Sequence, residues 1–150
     1  MKIYLATDHA GFNLKEEIKK HLVSKSLEVE DLGAFELNPD DDYPDFIAKL
    51  GEKVSNDSSS SGIIFGKSGA GEAIVANKFK NVRAILGFSE NNVKLSREHN
   101  NANVLSLGSD FVNLEEAKKL VDIFLNTPFS NEEKHKRRLE KISDLEKQNA

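Results

Sequence analysis

Gly62–Asn77 reads GIIFGKSGAGEAIVAN, and the order of its parts decides the fold. Ile63–Phe65 has the composition of a buried strand. A loop spaced by Gly66, Gly69 and Gly71 follows, and its bare backbone N–H groups can approach an anion. Glu72–Asn77 then begins a helix. The carboxylate of Glu72 stands just past the last glycine, with Ser68 beside it in the loop. A base near a helix N-terminus is expected to be held ionised by the helix dipole. That pairing points to proton transfer on an oxygen-rich substrate rather than plain anion storage.

Outward from this stretch the same alternation repeats. Ile3–Ala6, Val29–Leu32, Ala84–Gly87 and Val104–Leu107 read as further strands. Leu14–Leu22, residues 43–54, residues 90–98 and Leu114–Leu125 have helical spacing, and Pro44 suits a first helical turn. Strands separated by helices of this length imply right-handed crossovers and a parallel sheet covered on both faces. Asn38–Asp42 reads as a polar turn and Asp57–Ser61 as a flexible surface loop. Residues 1–150 fit one domain, with 130–150 a helical tail packing on a partner subunit or against the body.

Composition narrows the function. The chain is 38% hydrophobic and 31% charged, with a formal net charge of −4, which argues against nucleic acid as a bulk partner. No apolar run is long enough for a membrane span, and the first residues are interrupted by Asp8 too soon for a signal peptide. With no cysteine there is no disulfide, thiol nucleophile or thiolate metal site, which fits a cytoplasmic protein.

Asp8 and His9 follow the first strand, where an open parallel sheet binds ligands. A lone aspartate there would be read as a helix cap; the adjacent histidine and the glycine loop on the same sheet edge favour a site. Gly66-Lys67-Ser68 echoes the end of a P-loop, but Gly62 is one residue too close for that motif. The glycines also miss the dinucleotide spacing. His99, Asn100 and Asn101 end a helix, a position that explains itself by capping and still leaves His99 available as an acid. His21 lies on a charged face and reads as solvated. Lys134 to Arg138 forms a cationic run among acidic residues. Alone it reads as a solvated face, although Lys134 and Arg138 share a helix face and can clamp one phosphate.

These pieces occur together in one order. Asp8–Lys15, Asp42–Asp45, Gly62–Lys78, Arg97–Ala102 and Thr127 through Arg138 resemble the ribose/galactose isomerase family, over roughly residues 2–145. Many members of that family carry a cysteine base at the end of the third strand. Here Gly66 stands there, and the chain looks like the branch whose base is a glutamate, at Glu72. The resemblance implies a three-layer α/β/α sandwich with a five-stranded, parallel, Rossmann-like sheet and a C-terminal helix. It implies homodimers with shared active sites, in some members tetramers. The implied reaction is aldose–ketose isomerisation of ribose 5-phosphate through a cis-enediol, with neither metal nor organic cofactor. By resemblance Glu72 moves the proton between C2 and C1, Ser68 assists at O1 and O2, and His99 with Asp8 opens the furanose. The loop of Gly66, Lys67, Gly69, Ala70 and Gly71 lines the enediolate, a role worth ~3 kcal/mol per donor. Tyr43 and Asn100 contact the sugar, and His9, Lys134 and Arg138 hold phosphate.

Three departures bear on substrate. Members of the family usually have a phosphate-binding arginine two residues past the glycine that ends the fifth strand, and here Asp110 follows Gly108 and Ser109. Lys134 keeps the charge of a second arginine and loses its fork. Lys67, where glycine is usual, adds a cation. The alternatives are another phosphorylated aldose (a tetrose, allose or galactose phosphate) and a non-catalytic sugar-phosphate-binding paralogue.

Overall fold

Alternation along the central strands determines which helices cover which face. In the computed structural model, which describes all 150 residues, β1 (Lys2–Thr7) turns Ile3 and Leu5 to one side and Tyr4 and Ala6 to the other. β3 (Ser61–Gly66) does the same with Ile63 and Phe65 against Ile64, and β5 (Val104–Gly108) with Leu105 and Leu107 against Val104. The first set packs with Ile18 and Leu22 of α1 (Phe12–Ser24), Val93 of α4 (Glu90–Asn100), and Ala117, Val121 and Phe124 of α5 (Leu114–Asn126). The second packs with Ile47, Leu50 and Val54 of α2 (Tyr43–Asn56) and Ala76 of α3 (Ala70–Ala76). Burial on both faces explains why these strands are continuous apolar runs.

With β2 (Glu28–Asp31) and β4 (Ala84–Leu86) the sheet has the order β2-β1-β3-β5-β4, and every pair is parallel. The expected three-layer α/β fold is therefore found, with most element ends within two residues of those read from the sequence. The chain leaves β1 outward to β2 and returns to β3 on β1's other side. This reversal opens a crevice at the carboxyl ends of β1 and β3, where Asp8 and the glycine loop emerge.

The last helix, α6 (Glu133–Gln148), lies at the opposite, amino-terminal end of the strands. Its approach is pinned where Ser130 N donates to Glu98 O and Arg97 Nε donates to Thr127 O. Farther along, Asn81 N donates to the Glu146 carboxylate, in the turn that precedes β4. The tail thus rests on its own chain, with Ile142 and Leu145 partly exposed along a cleft they share with Val82 and Arg83.

Two sequence expectations need correcting. His21 is not simply solvated: its Nε2 lies 2.8 Å from Asp122 Oδ1, and Lys25 joins the same carboxylate, so the residue ties α1 to α5. The serine run is an ordered turn, in which Ser59 N and Oγ donate to Asp57 Oδ1 and Ser60 Oγ donates to Asp57 O. The hydroxyls satisfy the backbone there, as short polar side chains do in turns.

Candidate active site

Gly69 adopts a left-handed conformation (φ 81°) and serves as the N-cap of α3, so the helix starts at Ala70, two residues earlier than the sequence suggested. Glu72 is then the third helical residue and turns back over the end of β3. Its side chain fills the space that a side chain on Gly66 would need: a Cβ there would overlap the Glu72 carboxyl group. The bare backbone of Gly66 is therefore what lets this glutamate in. Glu72 is only 4% exposed, and its Oε2 has no hydrogen-bond partner.

Burial pushes the Glu72 carboxyl group above its ordinary value; its own backbone N–H pulls the other way, and the charge of Asp8 adds to the rise. Burial therefore outweighs the helix dipole at Glu72 and shifts it toward the protonated form. α3 is two turns long and its dipole small, while the loss of water around a buried carboxylate is a larger effect. A carboxyl group raised by burial is a stronger base than a solvated one, which suits proton transfer.

The surrounding residues converge on the same edge of the sheet. Asp8, buried at the end of β1, accepts from Ala10 N at 3.0 Å and Gly11 N at 3.3 Å with one oxygen, Oδ1. Tyr43, the first residue of α2, lays its ring on Gly71, where a Cβ would come within 2.7 Å of Cζ. Ser68 Oγ accepts from Ala70 N, and Ser106 Oγ donates to Gly69 O at 2.6 Å. The loop after β5 is joined to this turn, with Ser109 N donating to Gly66 O and Asp110 N to Lys67 O. Asp110 and Lys67 are both exposed on the rim and form no ion pair with each other.

One residue on this edge was not picked out from the sequence. Asp41 Oδ1 accepts from His9 N at 3.0 Å and faces His9 Nδ1 at 2.6 Å. Its hydrogen bond, and then the charges of Asp8, Asp41 and Asp40, raise His9 above the ordinary histidine value against a smaller opposing effect of burial. Ligand atoms of Asp8, His9 and Asp41 lie within 4.8 Å of one another. The short hydrogen bond already engages His9 and Asp41, so the trio reads as a hydrogen-bonded pair beside a turn-capping carboxylate. The only sequence signal was three consecutive aspartates after Pro39, 32 residues from the histidine that one of them meets.

The remaining expected residues lie elsewhere. His99 and Asn100 end α4, at the amino-terminal end of the strands, where Arg83 Nε donates to Asn100 O and Asn101 O. Asn101 takes the left-handed conformation (φ 46°) that stops the helix. His135 stacks on His99 with ring centroids 4.3 Å apart and planes at 20°. It too escaped notice, hidden in the cationic run. Burial and the neighbouring His99 push His135 below the ordinary histidine value, and Glu132 lies 3.1 Å from its Nε2 without hydrogen-bonding geometry. Lys134 and Arg138 flank it on α6, exposed and without ion-pair partners. The six residues of β3 separate the two ends of the sheet by roughly 20 Å. Within one chain, Glu72 and His99 cannot act on the same small molecule.

The family model described as Ribose/Galactose Isomerase matches residues 3–142. A relative from Mycolicibacterium paratuberculosis named ribose-5-phosphate isomerase B is 40% identical over 147 residues, covering 98% of this chain and 92% of its own. Ribose-5-phosphate isomerase B from Mycoplasma genitalium, solved with bound ribulose 5-phosphate, superposes with a TM-score of 0.94 at 43% identity, over 97% of this chain and 96% of that one. The Clostridium thermocellum ribose-5-phosphate isomerase B gives 0.95 at 39% identity, over the full length of both chains.

Proposed function

The chain belongs to the ribose/galactose isomerase family, and from that premise we propose that it interconverts D-ribose 5-phosphate and D-ribulose 5-phosphate. The observation that carries the proposal is Glu72: a buried carboxyl group with a free oxygen and a raised pKa, seated against Gly66 beside the turn of Lys67 to Gly71.

In the aldose-to-ketose direction Glu72 takes the proton from C2, and the electron pair of that bond forms the C1–C2 double bond. O1 gains a proton, giving a cis-enediol. O2 then loses its proton as C2=O forms, and Glu72 returns its own to C1. Ser68 passes protons between O1 and O2, and the backbone N–H groups of the turn face the developing oxyanion. No net oxidant enters. Tyr43 frames the sugar from the α2 side, and Asp8 joins His99 in opening the furanose.

The placement of His99, Asn100, Lys134 and Arg138 a sheet length away from Glu72 supports a two-fold dimer. Each site would combine the β1/β3 crevice of one copy with the α4–α6 end of another, where α6 packs on the partner. His9 of one copy and the cationic pair of the other then hold the phosphate. We place the enzyme in the cytoplasm, where phosphorylated sugars are made and a cysteine-free chain is at home.

The test is turnover of ribose 5-phosphate by the purified protein, followed by mixing of two inactive variants. Glu72→Gln and His99→Asn, refolded together, should regain about a quarter of wild-type activity, because half of the random dimers carry one intact site of two. Silence of the mixture would defeat the shared site; an inactive wild type would defeat the substrate. A second reading is favoured by Asp110 on the rim, where a negative charge repels phosphate at that position. It takes another phosphorylated aldose, and kcat/KM compared across tetrose, allose, galactose and ribose phosphates decides between them.

A further inference from the structure

Three carboxylates, Asp8, Asp40 and Asp41, are the charged groups bearing on the His9 ring. A phosphate monoester brought there meets an anionic wall unless something reverses its sign. The Asp41 side chain is only 8% exposed, its Oδ2 has no partner, and its Oδ1 is held by both the backbone N–H and the ring of His9. A carboxylate desolvated to this degree needs a cation or a charge-assisted hydrogen bond. Here the ring of His9 is the group that supplies it. The His9 side chain remains 36% exposed, and its other nitrogen, Nε2, makes no hydrogen bond within the chain.

We propose that Asp41 is a positioning residue which fixes the ring of His9 through Nδ1, keeps it an imidazolium, and so presents Nε2–H as a charged donor to the substrate phosphate. The proposal rests on the sugar-phosphate reading for the identity of the substrate, but not for the behaviour of the His9–Asp41 pair. It also explains how the site tolerates Asp110 in place of a cation: the positive charge lost from the β5 loop is held instead on His9, by a residue of the loop before α2. With the ring neutral, Nδ1–H can still donate to Asp41 but the ion pair is lost, so proton loss from His9 is opposed from inside the protein. Phosphate affinity should then persist to higher pH than a free imidazole allows.

The experiment compares wild type, Asp41→Asn, His9→Asn and the double variant. Asparagine is isosteric and still accepts from His9, so it removes the charge and spares the shape. Side-chain NMR follows the titration of His9 in the ligand-free protein, and calorimetry measures inorganic phosphate binding from pH 6 to pH 9. In Asp41→Asn the His9 midpoint should fall by about one pH unit or more, and phosphate should bind ~10-fold more weakly above that midpoint. In the isomerase assay the KM for ribose 5-phosphate should rise on the alkaline side with far less change in kcat. In the His9→Asn background, Asp41→Asn should have no further effect on phosphate binding.

An unmoved His9 midpoint, an unaltered pH profile of phosphate affinity, or an Asp41→Asn effect that survives in the His9→Asn background would each overturn the proposal. If ribose 5-phosphate proves not to be a substrate, the phosphate and NMR measurements still decide the role of Asp41. Failure of the functional reading is thereby kept apart from failure of this one.

Discussion

The two ends of the sheet are built on opposite principles. At the carboxyl end, functional groups are squeezed into place: Glu72 occupies the space Gly66 leaves, Tyr43 lies on Gly71, and the β5 loop is hydrogen-bonded to the β3 turn. At the amino end, Lys134 and Arg138 stand in water on α6, on either side of His135, which stacks on His99. Crowding suits proton transfer, which needs a desolvated base in one position. Exposure suits the capture of a charged group, which needs reach and mobile cations. The comparison teaches that one chain can build two polar regions by different physics, one by desolvation and one by exposure.

The largest test of the contrast is Glu72→Gln. Turnover should fall by ~10³-fold or more with the loss of the base. The same variant should be more resistant to heat at neutral pH. The sign follows from linkage: the folded-state pKa of Glu72 is raised, so its favourable contribution is complete below the unfolded-state pKa and is lost as pH rises through the folded-state value. Ionised Glu72 therefore costs stability at pH 7 and glutamine does not. Melting curves should show wild type losing stability relative to the variant between the ordinary carboxyl pKa and the raised one. A variant no more stable than wild type would mean that Glu72 is not strained by burial.

Gly66→Ala comes next. One methyl group must displace the Glu72 carboxyl group, so kcat should drop ~10- to 100-fold from misplacement of the base, with a stability loss of about 1–3 kcal/mol for overpacking. Chemical denaturation and steady-state kinetics read both. Full activity would mean that the seat of Glu72 is soft, and would break the contrast with the amino end.

The smallest effect should come from Asp110→Arg. On the exposed rim, reversing one charge should lower the KM for ribose 5-phosphate by only ~2- to 5-fold, fading as salt is raised. A KM that does not respond would place the Asp110 side chain outside the reach of substrate phosphate.

Much of this was legible along the chain. Alternating apolar runs and amphipathic stretches carried the layers, because strand and helix periods are written locally. The position of Glu72 after a glycine turn was also legible, since turn chemistry is local too. The upward shift of its carboxyl group was not legible, because the decisive quantity is how much water surrounds it, and that depends on Gly66, β1 and Asp8 together. Asp41 was passed over as one of several turn aspartates. Nothing in the sequence sets His135 apart from its charged neighbours, and the partner that holds His21, Asp122, lies 101 residues away.

By itself, then, the sequence determined the order of strands and helices, the glycine turn, and the kinds of side chain available for proton transfer and phosphate binding. The tertiary structure alone decided which of them meet: His9 with Asp41, Glu72 with the vacancy at Gly66, and His99 with His135 far from both. Periodicity and turn preference act over a few residues, whereas desolvation and pairing depend on atoms brought together from distant parts of the chain.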